Sequence, residues 1–92
     1  MMDDLTPQQK EVLLILSEEC SEVIQAISKI FRFGIDTTWK EEGNREHLAL
    51  ELGDLHCMID LCRIVGIVDG ADINKASEAK YKKLQVWSTI FK

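Results

Sequence analysis

Four carboxylates stand in two pairs at helical spacing, Glu19-x-x-Glu22 and Glu51-x-x-Asp54. Residues three apart lie on one helix face, so each pair can address a single point. On a 3.6-residue projection, Glu19, Glu51 and Asp54 fall inside arcs otherwise made of hydrocarbon, and Glu22 sits at the border of its arc beside Ile15. Acids turned inward are costly unless something neutralises them. Oxygen-only donors favour a hard cation, so the pattern reads as a site for Mg²⁺, with Mn²⁺ as the other candidate. Glu18 precedes the first pair and points away from it. Lys80 and Lys83 project from the apolar face of a later helix, and acids with inward lysines suit a metal–phosphate ligand. The lysines either contact phosphate or lay their stems on the core with the amines in water. Lys29 and Arg32 read as surface groups within reach of a phosphate near Glu22. The rival reading makes the acids structural partners of Lys80, Lys83 or Arg32. His47, one turn before Glu51, reads as a packed or capping residue more readily than as a ligand; Trp39 either stacks on a base or covers the bundle.

Three helices must position these groups. Thr6-Pro7 is a hydroxyl cap followed by proline at the first helical position, and the helix it opens runs to about Phe33, where Gly34 ends it. Gly34 to Gly43 reads as a surface loop. Asn44 is a good cap for a second helix, Arg45 to about Val65, stopping at Gly66. After the Asp69-Gly70 turn a third helix starts near Asp72 and reaches at least Trp87; Ser88 opens a terminal turn or a stub of a fourth. The expected fold is all-α, one domain over residues 1–92. The second helix is apolar over too wide an arc for two neighbours to cover, which predicts a homodimer or homotetramer with helices of both protomers closing one bundle.

The 92 residues are 46% hydrophobic and 29% charged, a globular composition. A net charge of −5 argues against a general nucleic-acid binder but is compatible with a nucleotide bridged through Mg²⁺. No apolar run approaches the roughly 20 residues that span a bilayer, so no membrane partner is expected. The start, Met1-Met2-Asp3-Asp4, is unlike a secretory signal. Cys20, Cys57 and Cys62 lie in apolar helical stretches without C-x-x-C spacing, which predicts reduced core thiols and a cytoplasmic protein. A Gly-rich phosphate loop, G-x-S-x-G, H-E-x-x-H and Cys/His zinc spacing are all missing. So are the Glu-x-x-His pairs of a ferritin-like di-iron site.

Glu-Glu-x-x-Glu at 18–22 followed by Glu-Leu-Gly-Asp-Leu at 51–55 resembles the MazG-type all-α nucleoside triphosphate pyrophosphohydrolases. The segments 28–34, 44–46 and 83–88 are similar to those of small free-standing members, many of them phage-encoded. The resemblance implies hydrolysis of a (d)NTP at the α phosphorus to the monophosphate and pyrophosphate, with Glu19, Glu22, Glu51 and Asp54 binding Mg²⁺. It also implies a dimer or a dimer of dimers, and a phage-like member brings in a deoxypurine triphosphate as a substrate. Glu18, or a metal ligand with a free oxygen, would orient the attacking water. Of the family's Lys-x-x-x-Asn element, Lys80 matches the lysine and Leu84 replaces the asparagine. The competing class is a catalytically silent helical interaction module with structural acids.

Overall fold

The computed structural model describes residues 4–39 and 42–92. Three helices make the fold, α1 (Pro7–Phe33), α2 (Asn44–Ile64) and α3 (Gly70–Trp87). Between α1 and α2 a two-residue antiparallel ladder joins Thr38 to Gly43 and Trp39 to Glu42. The all-α expectation holds. The Trp39 side chain, for which base stacking or bundle cover was expected, lies outside what is described.

The start of α1 is built as the sequence predicts. The Thr6 hydroxyl accepts from the Gln9 backbone N–H at 3.0 Å, and the Gln9 side-chain oxygen accepts from Thr6 N–H at 3.0 Å, closing a capping box. Gln9 has a second task. Its Nε2 donates to the carbonyl of Val65 at 2.8 Å, tying this end of α1 to the exit of α2. Gln9→Ala removes both bonds and should cost about 1–2 kcal/mol, read as a lower urea midpoint at unchanged slope. At the other end Gly34 takes φ 99°, a region open to glycine, and its N–H reaches the Ile30 carbonyl at 2.8 Å.

The cap of α2 differs from expectation. Gly43 is the N-cap and Asn44 the first helical residue. Asn44 is buried, and its Nδ2 donates to the Gly34 carbonyl at 2.8 Å, so its amide fastens the loop to the end of α1. The helix ends at Ile64, with Gly66 at φ 79° in the turn beyond. Asp69 caps α3 through a 2.9 Å bond from Ala71 N–H, which starts the helix two residues earlier than the sequence reading. No fourth helix forms after Trp87. Ser88 Oγ accepts from Ile90 N–H, and Lys92 N–H bonds to Thr89 O, closing a terminal turn only.

α1 and α2 form an antiparallel hairpin. Val12 near the start of α1 packs with Met58 and Cys62 late in α2, flanked by Leu13, Ile15, Leu16, Leu61, Val65 and Ile67. Val23 and Ala26 are buried further along. Each such side chain adds roughly 1–3 kcal/mol by leaving water, yet among the described residues none is fully buried. Of the expected core thiols only Cys62 is buried; Cys20 and Cys57 are exposed in the protomer, because no helix covers their faces.

α3 has no buried residue. Its first turn meets α2 around Ile59, Arg63 and Ile73, and Tyr81 packs on Phe91 of the returning tail at 6.2 Å between rings. A compact chain of this mass would expose about 5,400 Å² and have a radius of gyration near 12 Å. The protomer exposes 7343 Å² and its radius is 16.3 Å. Leu14, Ile24, Phe31, Leu50, Ile64, Val86 and Trp87 are all more than half exposed. A single protomer is an open hairpin with an arm.

Candidate metal centre

The hairpin brings the inward acids together. Glu19 of α1 meets Glu51 and Asp54 of α2, one oxygen of each lying within 4.8 Å of the others. Glu19 is half-buried, and its Oε2 is sealed from solvent with no hydrogen-bond partner. Burial raises the Glu19 pKa above its ordinary 4.5, and the charges of Asp54, Glu51, Glu22 and Glu18, in falling order, raise it further. An oxygen that is buried, unpartnered and repelled is poorly served by the protein alone. A hard cation satisfies all three conditions at once, so the donor set fits Mg²⁺ or Mn²⁺.

The other candidates are placed as follows. Glu22 and Glu18 are exposed, close enough to act on Glu19 but outside the converging trio. Lys80 and Lys83 are exposed on α3, whose expected inner face has no wall to face within the protomer. Arg32 is exposed, its guanidinium 4.9 Å over the Phe33 ring, and Lys29 is half-buried near the same end of α1. The ion pairs that would have made the acids structural do not form: among the described residues none of Glu19, Glu51 or Asp54 bridges to Lys80, Lys83 or Arg32. Asp54 is exposed and borders an open depression lined by Glu46, Ala49, Leu50 and Gly53, so the cluster is reachable from solvent.

His47, for which the sequence favours a packing or capping role over a ligand, is mostly covered, and its Nε2 lies 3.1 Å from Glu51 Oε1, with the two side chains 27% and 16% exposed. The signal was present in the i, i+4 spacing of His47 and Glu51. It does not distinguish a histidine beside the site from one that closes a helix end.

The sequence matches the MazG nucleotide pyrophosphohydrolase domain over residues 8–86. The chain belongs to that family. The match begins at the start of α1 and ends one residue short of the end of α3, so the MazG domain contains both acidic pairs together with Lys80 and Lys83 of α3. No curated protein and no solved structure matches the chain. Among the described residues no helix of the MazG domain is long and apolar enough to cross a membrane.

The raised Glu19 pKa carries a stability prediction. The folded, metal-free protein holds the Glu19 proton more tightly than the unfolded chain does. Its contribution is therefore favourable below pH 4.5 and is lost as pH rises through the folded value. Melting curves in EDTA should show this loss, and Glu19→Gln should flatten it and melt above wild type near neutrality. A wild-type melting temperature that climbs steadily from pH 4.5 to 7 in parallel with Glu19→Gln would count against the crowding.

Proposed function

We propose that this MazG protein hydrolyses a nucleoside or deoxynucleoside triphosphate to the monophosphate and pyrophosphate, with Mg²⁺, or Mn²⁺ in its place, held by Glu19, Glu51 and Asp54 and completed by Glu22. The observation that carries the reading is the buried, unpartnered Glu19 oxygen on a carboxylate that converges with two others. Bound there, divalent metal supplies neutralisation of the triphosphate charge and a lowered pKa for water. The chain's own groups do the rest. Glu19, Glu51 and Asp54 set the site on two helices packed against each other. Glu18, or a free oxygen of a ligand carboxylate, orients the attacking water toward the α phosphorus. Lys80, Lys83, Lys29 and Arg32 are the cations proposed for the phosphates. The working unit is a homodimer or homotetramer, supported by the apolar side chains that one protomer leaves in water. The domain is proposed to span residues 1–92 and to act on the cytoplasmic nucleotide pool, a purine deoxynucleotide being the first substrate to test.

The test is product analysis. The eight common NTPs and dNTPs are incubated with protein and Mg²⁺, and the nucleotide product is resolved by chromatography before any pyrophosphatase is added. A monophosphate with pyrophosphate is expected. A diphosphate with orthophosphate as first products would refute the assignment even with the metal site correct. No turnover of any of the eight would favour the silent interaction module.

A further inference from the structure

We infer that His47 is a positioning residue for Glu51, holding that carboxylate in the orientation from which it meets Glu19 and Asp54. The inference rests on the metal reading of the acidic cluster. His47 and Glu51 are one turn apart on α2, and Nε2 of the ring lies 3.1 Å from Oε1 of the carboxylate. A carboxylate oxygen accepts, so Nε2 carries the hydrogen and donates it. The pair is mostly covered, with 27% and 16% of the two side chains exposed, so water competes weakly for the bond. His47 itself stands outside the trio whose oxygens lie within 4.8 Å of one another. It therefore touches a ligand without being one.

The arrangement answers a specific difficulty. Glu51 has three side-chain torsions, and repulsion from Glu19 and Asp54 would swing it outward whenever the site is empty. One hydrogen bond to Oε1 opposes that rotation, and the carboxylate keeps lone pairs free for the cluster. Outer hydrogen bonds of this kind raise metal affinity by pre-orienting the ligand, and their removal typically weakens binding about 10–100-fold.

The test uses Mn²⁺ alone, without nucleotide, titrated calorimetrically into the full chain. His47→Gln keeps an N–H near the Nε2 position, whereas His47→Asn places its amide near Nδ1 and falls short of Glu51. Gln is expected to bind Mn²⁺ close to wild type and Asn about 10–100-fold more weakly, with equal melting temperatures in EDTA. A merely structural role predicts the reverse, altered melting in EDTA and unchanged affinity. Equal affinity for Asn and wild type overturns the positioning role alone. Failure of wild type to bind Mn²⁺ overturns both it and the metal site. Pulsed electron paramagnetic resonance of the Mn²⁺ complex adds a check, because a directly coordinated histidine nitrogen would make His47 a ligand and overturn the inference.

Discussion

Glu51→Gln and Asp54→Asn are expected to lower turnover by about a thousandfold or more, since the site is asked for several kcal/mol of transition-state stabilisation. The same changes should not harm the metal-free fold. Each removes one charge from a crowded set around Glu19, so melting in EDTA should be unchanged or raised. The stabilisation that millimolar Mg²⁺ gives the wild type should shrink, because a ligand that binds only the native state raises stability with the logarithm of its affinity. Glu78→Gln, on the exposed surface of α3, serves as the control and should alter none of these quantities. Activity persisting in Glu51→Gln or Asp54→Asn, with an undiminished metal response, would remove these residues from the site.

That three acids converge was legible in the sequence because the two helices that carry them are long, apolar-faced and joined by a short loop. Periodicity placed Glu19, Glu51 and Asp54 on inner arcs, and an antiparallel hairpin left those arcs nowhere to go but toward each other. Glu18 and Glu22 were ordered correctly relative to Glu19 by the same geometry. What periodicity cannot supply is the identity of the opposite wall. Periodicity puts Lys80 and Lys83 on an inward face in the frame of α3, but α3 is not packed along the hairpin, so that face is open in the protomer. Cys20 and Cys57 depart from the expected core positions for the same reason. Asn44 failed differently: a good capping residue found a buried carbonyl at Gly34, and the stronger tertiary bond displaced the local one. Ile24 and Phe31 lie off the main apolar stripe of α1 and are exposed in the protomer, a feature that single-helix reasoning passes over.

Those two residues carry the second large expectation. Ile24, Ile27 and Phe31 recur at i, i+3 and i+7, and they are 67%, 40% and 86% exposed. The protomer presents about 1,900 Å² more surface than a compact chain of its mass, more than the roughly 800 Å² each partner gives to a standard interface. Light scattering at micromolar concentration should report a dimer or tetramer. Ile24→Glu with Phe31→Glu places two charges in the contact and should weaken association by at least about a thousandfold, given 2 kcal/mol or more for each central residue. Turnover should fall with assembly. The wild-type chain running as a monomer would overturn the proposal, as would an unchanged mass in the doubly charged variant.

The thin attachment of α3 has a kinetic consequence. The α1–α2 hairpin closes on contacts within one chain, a first-order event whose rate is indifferent to dilution. α3, at 18 residues, is near the length at which a lone helix in water is only marginally ordered, and it buries no residue, Tyr81 resting only on Phe91 of the tail. In the proposed oligomer its ordering would be a second-order process. Amide hydrogens of α3 should exchange faster as the protein is diluted, while those of α1 and α2 around Val12 and Met58 keep a concentration-independent rate. If the proposed oligomer forms, the turn that frees this arm divides one small chain into a part held by its own contacts and a part whose folding is counted in encounters.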